Sequence, residues 1–195
     1  MGVLFWSAIV LAQEVYVIQP KQSTIEGSIR YTVIGKYRAR FTDFGGTITY
    51  DRGQWDRSSV TLRIKTKSLR SQYPTLDGIV LSKRLLDAGR FPEIFFQSHS
   101  VKRRAERYWV EGTLDFHGEK KTLAFPFRLE EPRADQHGAL TLRAQGRWII
   151  RRKDFEVIWS KILDHGGIIV GDHIVVDWEI FARENNEPPT GQDPP

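Results

Sequence analysis

The sequence predicts an all-β protein: a single antiparallel barrel of about eight strands, with one short helical segment near Leu76–Asp87. Three observations predict it. Apolar and polar residues alternate with a period of two along successive stretches of the chain. Turn formers separate those stretches: Asp51-Arg52-Gly53, His117-Gly118-Glu119, His137-Gly138 and Gly166-Gly167. Several stretches reach about ten residues with only one apolar face; a sandwich also fits the turn spacing, but closure removes the edges such strands would leave open.

The elements follow in order. Val3 to Leu11 is an apolar run ending at Ala12, a small residue suited to cleavage before Gln13. Residues 1–12 therefore read as a signal peptide, atypical or truncated because no positive region precedes the run. It is too short to cross a bilayer as a helix. Residues 13–183 read as one barrel domain, since 195 residues suffice for one sizeable core.

Within it, Ile25, Gly27, Ile29, Tyr31 and Val33 share one parity, and the pattern resumes at Tyr37, Ala39 and Phe41. Gly35 between them reads as a bend or bulge in one long strand. Gly45-Gly46 reads as a tight turn. Val60, Leu62 and Ile64 form the next apolar face. From Leu76 to Asp87 the rhythm breaks: Leu76, Ile79, Val80, Leu85 and Leu86 fall at near-helical spacing, and Phe91-Pro92 ends the segment. Such a helix plugs a barrel end or packs outside it.

Alternation then returns at Tyr108–Phe116, Leu123–Leu129, Leu140–Trp148 and Ile174–Ile180. Residues 184–195 close a polar, proline-rich stretch that starts at Arg183 and reads as a disordered tail.

Catalytic constellations are not evident. The five histidines, His99, His117, His137, His165 and His173, show no metal-ligand spacing, so no metal site is assigned. Asp164-His165-Gly166-Gly167 reads as a hairpin loop, Ser160 has no nucleophile elbow around it, and no phosphate-cradling glycine loop occurs. No catalytic residue and no cofactor is expected. The chain has no cysteine, which excludes disulfides and thiolate chemistry. Net charge is +5. The basic clusters Lys102-Arg103-Arg104 and Arg151-Arg152-Lys153 lack interleaved exposed aromatics, which argues against nucleic acid and leaves room for peripheral contact with an anionic membrane. A single-chain reading leaves oligomeric state open, a dimer included.

The inward parity carries small residues, Gly27, Ala39, Gly112, Ala144 and Gly146, which favour a cavity over a filled core. The candidate lining residues are Phe41, Phe44, Ile48, Leu62, Ile64, Ile79, Val80, Leu86, Phe96 and Trp148. The alternatives are a structural or surface protein with a filled core, or a barrel enzyme in which Asp77 is the one carboxylate to nominate.

Several fragments resemble one known family in order and spacing. Tyr16-Val17-Ile18-Gln19-Pro20 with Ser23 resembles its opening strand, and Phe41-Thr42-Asp43-Phe44-Gly45-Gly46 its "F-x-x-F-x-G" element. Ser68-Leu69, Asp77, Ser82, Leu85-Leu86-Asp87 and Phe91-Pro92 are similar to its "S-L … R-D-x-H-L-x-S-x-x-F-F-D-x-x-x-Y-P" stretch. Gly112-Thr113-Leu114 with Gly118, Arg152-Lys153-Asp154-Phe155 and Val170-Gly171-Asp172 resemble its "G-x-L-T-x-x-G", "R-x-D-F-G" and "V-G-D-x-V". On these residues, over roughly Val15 to Arg183, the chain is identified as resembling the YceI-like lipid-binding family.

The resemblance implies an extended, lipocalin-like antiparallel barrel. It implies non-catalytic binding, sequestration or transport of a polyisoprenoid, isoprenoid quinone or fatty-acid-like molecule, in the bacterial periplasm or outside the cell. The chain departs from the pattern at Leu76 (Arg expected), Ile79 (His), Glu156 (Gly) and Ile34 (His). Polar features near the helix are thus replaced by apolar ones, which implies an altered headgroup preference or a wholly apolar ligand.

Overall fold

A computed structural model describes residues 13–31, 35–158 and 170–185. The expected signal peptide, Val33, Ile34, Ser160, His165, the Gly166-Gly167 turn and the tail from residue 186 lie outside them.

Among the described residues, eleven strands and one α-helix follow in chain order. The strands are β1 (Glu14–Ile18), β2 (Thr24–Tyr31), β3 (Gly35–Phe41), β4 (Phe44–Tyr50), β5 (Ser59–Lys65) and β6 (Leu69–Arg70). After helix α1 (Pro74–Leu81) come β7 (Glu93–Arg104), β8 (Arg107–Phe116), β9 (Glu119–Ala134), β10 (Leu140–Arg151) and β11 (Val170–Glu184). All pairings are antiparallel, in the order β1-β4-β5-β7-β8-β9-β10-β11-β2-β3-β6, and β11 also pairs with β1, which closes the sheet.

The eleven strands fill eight places around the barrel because three long strands are broken. β1 and β2 are halves of one strand against β11, β3 and β4 are halves of the next, and β5 and β6 of the third. The breaks satisfy their own backbone groups. Gln19 N–H donates to Phe181 O at 2.8 Å, and Ser23 Oγ accepts from Phe181 N–H at 2.9 Å. Lys65 N–H donates to Asp43 O at 2.9 Å, and Thr42 Oγ1 donates to Ser68 O at 3.0 Å. An interrupted strand that keeps its hydrogen bonds costs little and lets the wall curve.

Three local expectations are corrected. Gly45 and Gly46 are not a turn: they lie within β4, and the chain bends instead at Thr42-Asp43. Gly46 is needed for close approach, because a Cβ there would stand 2.0 Å from Thr61 O on β5. Gly35 opens β3 beyond the β2–β3 connection rather than bending one strand, with the Tyr31 ring against it. The helix is shorter than the apolar spacing implied. Pro74 starts it with a preset φ, and Ser82 ends it by donating its hydroxyl to Ile79 O at 2.7 Å. Leu85 and Leu86 belong to the turns that follow.

The core runs the length of the barrel: Tyr16, Ile25, Tyr37, Leu69, Phe96, Leu114, Phe125, Leu142, Phe155 and Ile180 are all buried. The β9–β10 ladder stops at Phe127↔Gly146. Pro126, which has no N–H for a ladder, stands at that point. Beyond it, the first half of β9 pairs with β8 and the last residues of β10 pair with β11. Strand β11 continues to Glu184, the first residue of the 184–195 stretch read from sequence as a tail.

Candidate ligand-binding lumen

A hollow of about 350 Å³ lies inside the barrel, within the range of small-molecule sites. Its wall follows the inward parity of the strands. β2 contributes Ile25, Gly27, Ile29 and Tyr31, β3 contributes Tyr37, Ala39 and Phe41, and β5 contributes Val60, Leu62 and Ile64. β9 adds Phe125, Phe127 and Leu129, β10 adds Leu142, Ala144, Trp148 and Ile150, and β11 adds Ile174, Val176, Trp178 and Ile180. Among the described residues the surface facing the hollow is apolar throughout.

Of the ten residues singled out from sequence, Phe41, Ile48, Leu62, Ile64, Ile79, Val80, Leu86, Phe96 and Trp148 stand together in this wall. Phe44 does not. It is buried, but it sits at the Thr42-Asp43 break and packs into the surrounding core. The small inward residues divide in the same way. Gly27, Ala39 and Ala144 line the hollow, and a Cβ at Gly27 would meet only Ile174 Cγ2, at 3.9 Å. Gly112 and Gly146 leave no space, because the Phe96 and Trp178 rings lie within 2.6 Å of where their Cβ atoms would be.

The two ends of the lumen differ. At one end α1 turns Leu76, Ile79 and Val80 into the hollow. The helix is held there by Asp77, which is 6% exposed. Tyr37 donates its hydroxyl to Asp77 Oδ1 at 2.6 Å, and Ser71 donates its backbone N–H to Oδ2 at 2.8 Å and its hydroxyl to Oδ1 at 2.5 Å. Burial by itself would raise the Asp77 carboxyl. The bonds from Ser71 and Tyr37, with Arg70 nearby, outweigh it and hold the group below its ordinary range. Burial and donation to Asp77 raise the Tyr37 hydroxyl.

Asp77→Ala is therefore expected to remove about 2 kcal/mol of stability, since it strands the buried Tyr37 hydroxyl, and to speed amide exchange in α1. A depressed carboxyl contributes stability above its unfolded value of about 4 and loses it as pH falls through the folded value. Acidification of the wild type should thus loosen α1 in the same way, while the variant's α1 should not respond. Urea unfolding and hydrogen exchange at two pH values check both; unchanged α1 exchange in the variant would show that the latch is not what holds the helix.

The opposite end is floored by a chain of aromatic rings, the first two pairs meeting edge to face and the next two tilted. Tyr16 and Tyr50 are 6.2 Å apart, Tyr50 and Trp55 5.3 Å, Trp55 and Tyr108 4.7 Å, and Tyr108 and Phe127 5.5 Å. Trp55 was not legible in sequence, because it sits in the polar β4–β5 connection, on a single 3-10 turn.

Arg152 is the other residue that sequence reading missed. It is 6% exposed, its side chain lines the lumen near the helical end, and it is the one charged residue in the wall among the described residues. Its guanidinium is committed to the protein. Nε donates to Gly171 O at 3.0 Å and Nη1 to Val157 O at 2.8 Å, and Nη2 lies 3.2 Å from Asp172 Oδ1. The surrounding triplet Arg151-Arg152-Lys153 read as a basic cluster. The signal that finds Arg152 is parity: Leu142, Ala144, Trp148 and Ile150 face inward, so residue 152 does too.

The four described histidines stay out of the lumen. His99, His137 and His173 are exposed, and His117 sits in the β8–β9 turn with Nδ1 3.1 Å from Phe155 O. Among the described residues no group of three or more His, Cys, Asp or Glu side chains is arranged to hold a metal.

A closed antiparallel barrel with a hollow apolar axis defines the class of protein: a β-barrel of eight strand positions that encloses space rather than filling it. Within that class, the YceI-like domain model matches residues 16–182, and the chain belongs to the YceI-like domain family. A curated relative, UPF0312 protein YE1254 of Yersinia enterocolitica, is 29% identical over 133 residues, 68% of this chain and 69% of the relative. Salmonella relatives are matched over 61% of their own length. Among solved structures, BcnA of Burkholderia cenocepacia superposes with a TM-score of 0.74 at 19% identity, covering 84% of this chain and 98% of that one. A polyisoprenoid binding domain from Saccharophagus degradans, implicated in plant cell wall breakdown, superposes at 0.65 with 14% identity, covering 87% and 98%. At these identities the structural likeness establishes the fold.

Proposed function

We propose that this protein binds a long apolar lipid, of the polyisoprenoid, isoprenoid-quinone or fatty-acyl class, inside the barrel and holds or carries it without altering it chemically, in the periplasm or outside a bacterial cell. The observation that carries the proposal is the lumen itself: about 350 Å³ of hollow with an apolar surface, enclosed by strands whose inward parity is maintained around the closed sheet. The polyisoprenoid binding of the Saccharophagus domain, which shares the fold, supports the lipid class.

The energetics favour a tail-held guest. Each buried CH₂ contributes about 0.8 kcal/mol, so a chain of a dozen carbons gains roughly 10 kcal/mol before the costs of association. Among the described residues the wall exposes no polar atom to the hollow, which asks for no headgroup inside. The charged side chain that does line it, Arg152, has its donors on backbone carbonyls and Asp172 rather than on the hollow. This arrangement supports binding over catalysis, which would need uncommitted polar groups converging on one point.

The test is solvent extraction of the protein purified from a bacterial host, followed by mass spectrometry. A stoichiometric long-chain lipid is the expected result. A protein that copurifies with none, and takes up none when offered geranylgeraniol or a fatty acid, would leave the lumen without this role.

A further inference from the structure

The register of four neighbouring strands sorts the outward-facing charges into rows. Near the middle of the barrel, Arg147 (β10) pairs across to Asp177 (β11), Asp177 to Glu26 (β2), and Glu26 to Arg40 (β3). That row is neutralised by its own ion pairs, Arg147–Asp177 and Arg40–Glu26. The rows nearer the helical end are different. Arg151 stands opposite His173, and Arg30 stands directly opposite Lys36, with Arg38 two residues further along β3. Arg30, Lys36, Arg38, Arg151 and His173 are all exposed, and among the described residues none of the four cations makes an ion pair.

Like charges set directly opposite in a ladder are unfavourable. An unneutralised basic strip beside a neutralised row therefore calls for an anionic partner. An apolar side chain stands among them: Ile149, paired with Val175 on β11, is 61% exposed, the most exposed large apolar side chain among the described residues. Cations flanking a protruding aliphatic side chain fit a lipid surface, where the charges meet headgroups and the isoleucine enters the boundary. A nucleic acid would instead ask for stacking aromatics, which this face lacks.

We infer that the outer face of β2, β3, β10 and β11 near the helical end docks on an anionic phospholipid bilayer. The inference rests on the lipid-binding reading for its purpose, because Ile29, Tyr31, Ile174 and Ile150 on the inner side of the same strands line the lumen. Docking also brings to the lipid the part of β10 beyond Gly146, which pairs with β11 but no longer with β9.

The experiment is flotation of the full chain with vesicles of phosphatidylcholine alone, and with vesicles of equal parts phosphatidylcholine and phosphatidylglycerol, at low and high salt. Binding to the anionic vesicles, weakened by salt, is expected. Each basic contact is worth roughly fivefold in partitioning. The triple variant Arg30→Glu, Lys36→Glu, Arg38→Glu should therefore lose about 100-fold or more, and Ile149→Asp should weaken binding as well. The matched reversal Lys102→Glu, Arg103→Glu, Arg104→Glu, on the hairpin at the other end, should stay close to wild type. Equal loss in both triple variants would reduce the effect to net charge and overturn the inference. So would failure to float with anionic vesicles, or binding of an oligonucleotide instead. Uptake of geranylgeraniol from solution is measured in parallel. Its retention in the β2–β3 triple variant is expected, whereas its absence in the wild type would remove the lipid-binding reading on its own account.

Discussion

Gly27→Phe is expected to abolish uptake of long-chain lipid while leaving the protein folded and at least as stable as the wild type. Gly27 lies on β2 in the wall of the lumen, and the space beyond its Cα is empty apart from the Ile174 methyl group at 3.9 Å. Its backbone is ordinary extended strand, with no positive φ to penalise a side chain. A benzyl group therefore projects into the hollow without displacing the wall. It meets an apolar surface, so burying it contributes about 2 kcal/mol rather than costing stability. Phenylalanine is also favoured over glycine in a strand, which raises local strand propensity. The guest, by contrast, loses the continuous path between the helical end and the aromatic floor. Native mass spectrometry with geranylgeraniol and a thermal unfolding curve measure the two halves of the expectation. A folded variant that still binds with wild-type affinity would show that the guest does not occupy this part of the hollow, and would count against the lumen as the binding site.

The second large effect is on stability. Arg152→Met should lower it by about 3 kcal/mol, because it leaves buried carbonyls without the donors they now have. The isostere keeps the apolar stem against the lumen and removes only the guanidinium. Gly171 O and Val157 O lose their bonds from Nε and Nη1. Asp172 keeps Lys153 at 2.9 Å, so no carboxylate is left wholly unpaired. The loss falls on the carbonyls that join the end of β10 to the start of β11. For a domain of this size the change corresponds to roughly 6–12 °C in Tm. Arg152→Lys should recover little, because an ammonium cannot span acceptors arranged around a planar fork. Calorimetry of the three proteins decides the matter. If the Lys variant were as stable as wild type, charge rather than fork geometry would be the stabilising feature.

Much of this architecture was legible in the alternation of residues. The parity of Ile25, Ile29 and Tyr31, of Tyr37 and Ala39, and of Leu142, Ala144 and Trp148 is the parity of the lumen wall. It was legible because a pleated strand shows alternate side chains to opposite faces, and a one-residue error would invert a whole strand. Leu76, Ile79 and Val80 were legible in the same sense, from helical spacing. The failures have a common cause. Gly45-Gly46 carried the composition of a turn, yet its function is to let β4 approach Thr61 on β5, a contact between residues distant in sequence. Gly112 and Gly146 looked like room for a guest, but the rings of Phe96 and Trp178 fill it. Trp55 reaches the aromatic floor from a connection with no periodicity.

Charge shows the same division. Sequence counted Arg151, Arg152 and Lys153 as one basic cluster. The fold sends Arg152 inward to backbone carbonyls, Lys153 to Asp172, and leaves Arg151 on a strip with Arg30, Lys36 and Arg38 that no linear reading assembles. The strands, their faces and the family are set by local pattern, since period and turn chemistry act over a few residues. Whether the barrel stays hollow, which cations are neutralised and where the wall opens depend on partners brought together by register and closure, and those are properties of the assembled sheet.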